Sequence, residues 1–360
     1  MQVGLQLSYQ NFHGIPDADM FRTETKLGIE AEAMGFDFVA PVEHHFFDYA
    51  MCPDNALTLA YIAAKTKTLK LMTGAFILPW NDPLRVVEKA ALLDILSEGR
   101  MILGLARGLS RREFRGFRAE LANAREMFDE SAAIVLRGLE TGVVEADGKY
   151  FKQPRVEVRP RPERSFKDRT YMVGMSPSSV EVAARLGVAT LKFSQGPWIE
   201  SVKEVNQYRD RFRQHHGREA QPFIICDFLV CFDDRKKNKA YTDQYFRKYY
   251  ESVNEHYELS SDHFSKIPSY QKYADMGKRA VEIGIDKAYQ DYIDANLIGT
   301  PEEIWEKHLA RLAIVGDYDI TLNVSYGGMP FEDSWDQMKR FADEVLPKLK
   351  ASAPRTRLAG

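Results

Sequence analysis

The 360-residue sequence predicts an α/β fold, a (β/α)8 TIM barrel, on two observations. Eight short apolar runs, rich in β-branched and large apolar residues, lack the strict alternation of half-exposed strands, so each is typical of a strand buried on both faces. Stretches of helical length separate the runs, which is the chain order of a parallel barrel. The predicted strands span residues 3–8, 37–41, 69–77, 101–106, 170–174, 189–194, 223–232 and 319–325.

The helices are predicted from signals at their ends. Residues 83–96 form one, with Asp82 as N-cap, Pro83 in the first turn and Gly99 beyond the end. Another, residues 300–315, opens with Thr-Pro-Glu-Glu. The remaining predicted helices span residues 18–34, 119–139, 178–186 and 331–349. A doubly wound sheet is the rival fold, but it needs a glycine-rich turn after the first strand, and residues 7–11 contain no glycine.

Two segments are longer than a barrel requires, residues 115–168 and 236–298. They follow the fourth and seventh predicted strands, and segments of this length are usually lids or local subdomains. The sequence therefore predicts one domain over residues 1–350 with insertions after strands 4 and 7, and a frayed tail over residues 351–360.

Composition restricts the partners of the chain. The formal net charge is -3, which does not favour nucleic acid, and no apolar run reaches the roughly 18 residues of a membrane span. The N-terminal residues lack the pattern of a signal peptide. Three cysteines at irregular spacing, Cys52, Cys226 and Cys231, indicate a reducing compartment. We expect a cytoplasmic protein with a small-molecule ligand.

Histidines follow the second predicted strand. In a (β/α)8 barrel the chemistry lies at the carboxyl ends of the strands, and strand two ends in Glu43-His44-His45. Because few other strand ends offer metal ligands, we predict no metal site and interpret His44 as a proton-handling group beside a cofactor. A metal-dependent hydrolase using His44, His45 and Asp227 remains an alternative.

The turn after the fifth strand indicates an anion. Ser176, Ser178 and Ser179 open a helix there, and helix N-termini offer free N–H groups and a positive dipole end. Arg107, at the end of strand four, adds a cation for a phosphate. Serine N-capping and an ion pair of Arg107 with Glu113 are the alternative interpretations. Together these residues predict a phosphate site.

A set of motifs in fixed order resembles the bacterial luciferase-like flavin-dependent monooxygenases, most closely the alkanal monooxygenase alpha-chain type. The resemblance extends over about residues 1–350. Its motifs are Glu43-His44-His45-Phe46, Gly74-Ala75, Ser97-Glu98-Gly99-Arg100, Arg107-Gly108-Leu109 with Glu113-Phe114, and Gly299-Thr300-Pro301-Glu302-Glu303.

This resemblance implies a flavoprotein enzyme that uses FMN as FMNH2, delivered by a separate NAD(P)H:flavin reductase. It implies reaction with O2 to a C4a-(hydro)peroxyflavin, which oxygenates an organic substrate by hydroxylation or Baeyer–Villiger-type insertion. It places His44 at the flavin as the catalytic residue, and Ala75 under the isoalloxazine, commonly through a non-prolyl cis peptide. The phosphate contacts it implies are Arg107, Ser176 and Ser179, with Ser178 and Met175 in the same turn.

The resemblance also implies an enclosed, mostly apolar substrate pocket, because water promotes loss of peroxide from the flavin. The residues expected to line the pocket are Phe46, Phe76, Phe114, Phe193 and Ser194. They predict a small apolar or aromatic substrate. Ala106, Met175 and Ser194 replace a cysteine, an acidic residue and an aromatic of the luciferase alpha chains, so light emission and long-chain aldehydes are not expected.

Further expectations concern cofactor and assembly. A deazaflavin (F420)-dependent dehydrogenase on the same barrel is an alternative, with Arg111 and Arg112 for the acidic tail of that cofactor. Residues 57–65 and 86–96 could form a four-helix dimer face, so a homodimer is predicted. The resemblance further implies a mobile lid over residues 255–295.

Overall fold

The computed structural model describes residues 1–174 and 177–352, and it confirms the predicted barrel. Eight parallel strands close on themselves in the order β1-β2-β3-β5-β8-β9-β10-β12, with β12 paired to β1 and β9 to β10. The strands are β1 Val3–Leu7, β2 Phe38–Pro41, β3 Lys70–Met72, β4 Phe76–Ile77, β5 Met101–Ala106, β6 Val143–Asp147, β7 Lys152–Glu157, β8 Thr170–Val173, β9 Ala189–Phe193, β10 Phe223–Cys231, β11 Leu297–Gly299 and β12 Tyr318–Asn323.

Helices surround the barrel and form most of the insertion after β10, which is the seventh strand of the barrel and is called strand seven below. They are α1 Asp17–Glu30, α2 Asn55–Ala63, α3 Pro83–Leu96, α4 Arg111–Gly116, α5 Ala124–Thr141, α6 Pro177–Leu186, α7 Trp198–His216, α8 Arg235–Tyr241, α9 Arg247–His256, α10 Gln271–Ile283, α11 Ile285–Ala295, α12 Pro301–Val315, α13 Phe331–Glu344 and α14 Leu346–Ala351. Among these described helices, none has the length and apolar character needed to cross a bilayer.

The third predicted strand, residues 69–77, is divided in the structure. Its two parts, β3 and β4, both pair with β5, and between them the Gly74–Ala75 peptide bond is cis. Thr73 reaches across to β5, where its Oγ1 accepts from the Gly104 N–H at 2.8 Å. A Cβ at Gly104 would lie 1.9 Å from the Thr73 carbonyl oxygen, so only glycine fits beside this break.

The capped helices match their sequence signals. In α3 the Asp82 side chain accepts from the Arg85 N–H, and α12 begins with a capping box between Thr300 and Glu303. The helix predicted over residues 331–349 is instead two helices, α13 and α14, with Pro347 in the first turn of the second.

The insertions contain structure that the sequence signals did not predict. After β5, the fourth barrel strand, the chain forms α4, α5 and the antiparallel hairpin β6–β7. Helix α5 begins at Ala124 rather than at residue 119. After β10, the seventh barrel strand, the chain forms α8 to α11, whose aromatic side chains pack with residues of β10 in a cluster separate from the main core. Most of the tail predicted over residues 351–360 lies outside the described residues.

Candidate functional site

His44 is held from both ring nitrogens. It lies three residues after the end of β2, and its Nδ1 is 2.9 Å from Oε1 of Glu113, a buried residue of α4. The same carboxylate oxygen accepts the backbone N–H of His45 at 2.8 Å. On the other side of the ring, the Tyr257 hydroxyl lies 3.2 Å from Nε2 of His44. Strand two, α4 and the insertion after strand seven therefore converge on one imidazole.

The Glu113 carboxylate stays ionised although it is buried. Burial alone would raise its pKa, but His44 and the His45 N–H outweigh this effect and hold the pKa below its ordinary value. The ion pair between Arg107 and Glu113 considered from the sequence is not formed, because Glu113 turns to His44 while Arg107 bonds elsewhere.

The neighbouring histidine, His45, has a packing role. Its ring lies edge-on against Phe117, with centroids 4.6 Å apart, and its Nε2 is 3.5 Å from Glu43 Oε1. Glu43 in turn accepts from the Trp80 indole N–H and the Asn81 amide, each at 2.8 Å. These contacts fix the turn after β2 and point His45 away from the Glu113 carboxylate.

His256 completes a small cluster with His44. Its ring stacks on Tyr49 at 4.2 Å, and burial lowers its pKa to about 3, so the imidazole is neutral. The ligand atoms of His44, Glu113 and His256 lie within 4.8 Å of one another, an arrangement that could bind a metal ion. The metal site considered from the sequence had His44, His45 and Asp227 as its ligands. Asp227 is not available for it, because both of its carboxylate oxygens accept hydrogen bonds from Arg311.

The predicted phosphate site contains a second arginine. Nη2 of Arg125, a residue of α5, donates to the Ser179 hydroxyl at 2.8 Å and lies 3.4 Å from that of Ser178. Burial and the nearby Arg107 guanidinium lower the pKa of Arg125, as expected for two cations facing one site. Two other predicted residues of this turn, Met175 and Ser176, lie outside the described residues.

Arg107 is covered by the insertion after strand seven. Its Nη1 donates to the Ser269 carbonyl oxygen at 2.9 Å, and its guanidinium lies 3.9 Å from the centre of the Tyr270 ring. The Tyr270 hydroxyl donates to the carbonyl oxygen of Gly108 at 2.9 Å. The segment predicted as a lid therefore contacts the predicted phosphate site directly.

The strand ends enclose two spaces of different size. A gap of about 20 Å³ lies beside Gly74 and Ala75, and a cavity of about 320 Å³ extends from the end of β9 toward α7, α10 and α11. Phe193 lines both spaces. Ala75 is buried and packs with Ala106, so it lies at the end of the barrel as expected.

Of the five residues predicted to line a substrate pocket, only Phe193 lines either space. Phe46 is 61% exposed, whereas Phe76 and Phe114 are packed inside the protein. The Ser194 hydroxyl donates to Asp227 Oδ1 at 2.6 Å and is buried. The sequence interpretation identified aromatic residues near strand ends but not the directions in which they point.

Arg125 and Tyr257 were missed by the sequence interpretation. Both lie on insertions, at the start of α5 and just after α9, rather than on a strand end. A search restricted to strand ends does not reach them. The one available signal for Tyr257 is its place in a Tyr-rich insertion, and for Arg125 there is none in the local sequence.

Comparisons with known proteins agree on one family. A family model described as luciferase-like monooxygenase matches residues 1–317. The alkanal monooxygenase alpha chain of the Kryptophanaron alfredi symbiont is 27% identical over 344 residues, 92% of this chain and 94% of that protein. The corresponding chain of Photobacterium leiognathi is 26% identical over 329 residues, 90% of this chain and 92% of its own length.

Solved structures show the same fold. Monooxygenase RslO1 from Streptomyces bottropensis has a TM-score of 0.81 at 24% identity, covering 97% of this chain and 100% of that one. The oxygenating constituent of 3,6-diketocamphane monooxygenase from Pseudomonas putida, a type II Baeyer–Villiger monooxygenase in complex with FMN, has a TM-score of 0.74 at 18% identity, covering 97% and 99%. An F420-dependent tetrahydromethanopterin reductase from Methanopyrus kandleri has a TM-score of 0.67 at 17% identity, covering 96% and 99%.

Proposed function

This chain belongs to the luciferase-like monooxygenase family, and we propose that it is the oxygenating component of a two-component system that uses FMNH2 and O2. Its substrate is a small apolar or aromatic organic molecule. The observation that carries this proposal is His44, held between Glu113 and Tyr257 at the barrel end. Reduced FMN, when bound, activates O2 for transfer of one oxygen atom, and the residues below bind the cofactor or handle protons.

His44 handles the proton. Its Nδ1 faces an ionised carboxylate, so Nδ1 carries the hydrogen and Nε2 is the acceptor. Nε2 receives the hydrogen bond of the Tyr257 hydroxyl, which makes this nitrogen the atom that gains or loses a proton during turnover. Glu113 orients the ring.

The arginines fit the FMN phosphate. Arg107 and Arg125 supply two cations, and the hydroxyls of Ser178 and Ser179 lie at the start of α6, the positive end of the helix dipole. The buried Nε of Arg125, which has no hydrogen-bond partner among the described residues, is a further donor at this site.

Two partners follow from the proposal. A separate NAD(P)H:flavin reductase supplies the reduced cofactor, and a second copy of the chain forms a homodimer. The dimer rests on an apolar face of α2 and α3, where Leu57, Tyr61 and Leu96 are 73%, 57% and 61% exposed. The three cysteines are buried and free, in keeping with the cytoplasmic location expected from the sequence.

The test is an anaerobic titration of the purified chain with FMNH2, followed by rapid mixing with oxygenated buffer. We expect saturable binding of FMNH2 and reoxidation kinetics that differ at least tenfold from those of free reduced flavin. His44→Asn should bind FMNH2 normally but change the reoxidation kinetics. Bound flavin that reoxidises as free flavin does, or no binding at all, would contradict the proposal.

An F420-dependent dehydrogenase is the second candidate, because the reductase from Methanopyrus kandleri, which has a similar fold, depends on that cofactor. The two arginines expected to bind the acidic tail of F420 already have partners within the chain. Arg111 makes a bidentate ion pair with Glu258, and Arg112 lies over the Phe47 ring. Titration with F420 under the same conditions separates the two functions, since saturable binding of F420 without binding of FMNH2 would favour this alternative.

A further inference from the structure

The cavity of about 320 Å³ beside β9 has walls suited to one class of molecule. It lies between the end of β9 and the helices α7, α9, α10 and α11. Because Phe193 also lines the gap beside Gly74 and Ala75, the cavity adjoins the strand ends where the cofactor is proposed to bind. A space of this size accommodates a molecule of two or three fused rings.

Aromatic side chains supply much of the wall. Phe193 and Trp198 lie at the β9 end, while Tyr250 and Tyr292 come from α9 and α11. Met276 of α10 adds a flexible apolar contact. Flat rings pack well against such surfaces, because aromatic pairs gain from offset stacking and edge contacts beyond the area they bury.

One end of the cavity is cationic. The buried Lys192 donates to Glu204 Oε2 at 2.6 Å, and Lys272 of α10 donates to Oε1 of the same carboxylate at 3.0 Å. Burial raises the pKa of Glu204, but the two ammonium groups reverse this effect and lower it below its ordinary value. Each ammonium has three N–H donors, and these two share a single carboxylate.

The other ion pairs near the cavity are balanced. Arg279 pairs with Glu200 in two hydrogen bonds, of 2.5 and 2.8 Å, and Lys287 pairs with Asp291 at 2.5 Å. Together with Lys192, Lys272 and Glu204, the network has four cations and three carboxylates, a net charge of +1. The excess positive charge lies at the Lys192–Lys272 end.

Apolar side chains are exposed close to the residues that line the cavity. Ile283 lines it and is 39% exposed. Ile199, on the first turn of α7, and Val281 and Ile285, around the α10–α11 junction, lie close in the sequence to lining residues and are 66%, 78% and 63% exposed. The Arg279–Glu200 pair joins these two elements. Exposed apolar side chains of this kind are typical of ligand-binding grooves.

We propose, on the basis of the monooxygenase function above, that this cavity is the substrate pocket and takes a planar aromatic molecule with an acidic oxygen, a phenolate or a carboxylate. The oxygen lies at Lys192 and Lys272, and the rings lie between the aromatic walls. The surplus ammonium selects the charged end.

Equilibrium binding without flavin tests this assignment. The full chain is titrated with 2-naphthoate and with 2-naphthamide, which has the same shape and no charge, using isothermal titration calorimetry. We expect 2-naphthoate to bind at least tenfold more tightly. Lys272→Met should reduce naphthoate affinity to that of naphthamide, whereas Lys278→Met, on the exposed face of the same helix, should change neither.

A second variant, which fills the cavity, keeps the test decisive if Lys272→Met does not fold. Met276→Trp should abolish binding of both probes, and an unchanged melting temperature identifies the loss as local. Equal affinity for the two probes, no binding of either, or displacement of naphthoate by FMN in competition would overturn the assignment. A chain that binds naphthoate with this selectivity but never binds FMNH2 would instead overturn the proposed function and leave the ligand class standing.

Discussion

His44 Nδ1 and Glu113 Oε1 lie 2.9 Å apart although 69 residues separate them in the sequence. The contact exists because β2 and β5 end at the same edge of the barrel and α4 begins five residues after the end of β5. The carboxylate also accepts the His45 N–H, so it fixes both the ring and the backbone of the turn. Glu113 is therefore a positioning residue for His44.

Glu113→Gln should lower stability in a pH-dependent way. The pKa of Glu113 is below its ordinary value in the folded chain, so its contribution is present above the pKa of the unfolded carboxyl and is lost as pH falls through the folded pKa. We expect a loss of about 1–3 kcal/mol at pH 7, since a charged buried hydrogen bond is removed. Urea unfolding at pH 7 and at pH 4 measures it, and the loss should shrink at pH 4.

The same variant separates positioning from folding. Glu113→Gln should alter the pH profile of reoxidation of bound FMNH2 and leave the affinity for FMNH2 within about threefold, because orienting groups act on their partner. Glu120→Gln, at an exposed site shortly after α4, is the matched control. A reoxidation profile identical to that of the unaltered chain would show that Glu113 does not act through His44.

Arg125→Met should weaken binding of FMN but not of riboflavin. Arg125 reaches the Ser178 and Ser179 hydroxyls, where the phosphate is proposed to lie, and charged hydrogen bonds contribute about 1.5–3 kcal/mol, or roughly 10–150-fold in affinity. Fluorescence titration with both flavins provides the measurement. Arg137→Met, on the exposed side of the same helix, should change neither affinity. Equal losses for FMN and riboflavin would contradict a phosphate contact.

The sequence predicted the barrel well because buried parallel strands leave a strong local signal. The eight runs and the capped helix α3 follow from apolar pattern and end residues alone. The break between β3 and β4 could not be predicted in the same way, since a continuous apolar run looks the same with or without it. At the site, strand ends identified His44 and Arg107, whereas Arg125 and Tyr257 reach it from insertions, through tertiary contacts that no local pattern encodes.

Arg311→Met should be strongly destabilising. Arg311 and Asp227 are 3% and 0% exposed in their side chains and are joined by two hydrogen bonds of 2.5 and 3.0 Å. Removing the cation leaves a buried carboxylate uncompensated, which costs about 3–5 kcal/mol. Urea unfolding at pH 7 measures the loss. Arg340→Met removes a partly exposed cation that pairs with Asp233 and should cost less than about 1 kcal/mol.

A double variant tests the cause. Arg311→Met combined with Asp227→Asn removes both charges, so it should be more stable than Arg311→Met alone. If the double variant loses as much as the sum of the two single variants, the cost of Arg311→Met comes from lost packing rather than from the orphaned carboxylate. Asp227 also accepts from the hydroxyl of Ser194, which directly follows β9. The double variant should therefore also preserve the end of β9.

Glu24→Gln should stabilise the chain, and the gain should grow with pH. Burial raises the pKa of Glu24 from 4.5 to about 7, with the Ser8 N–H as a partly offsetting donor. Between these values the unfolded chain has lost the proton and the folded chain retains it, so stability contributed by this group is present below the unfolded pKa and is lost as pH rises through the folded one. Glutamine remains neutral throughout.

From the size of the shift in the pKa of Glu24, we expect the advantage of the variant to be about 2–3 kcal/mol larger at pH 8 than at pH 5. Urea unfolding of both chains across this range measures the difference, with Glu30→Gln on the same helix as control. A gain that stays constant with pH would mean that Glu24 is ionised in the folded chain and that the effect is one of packing.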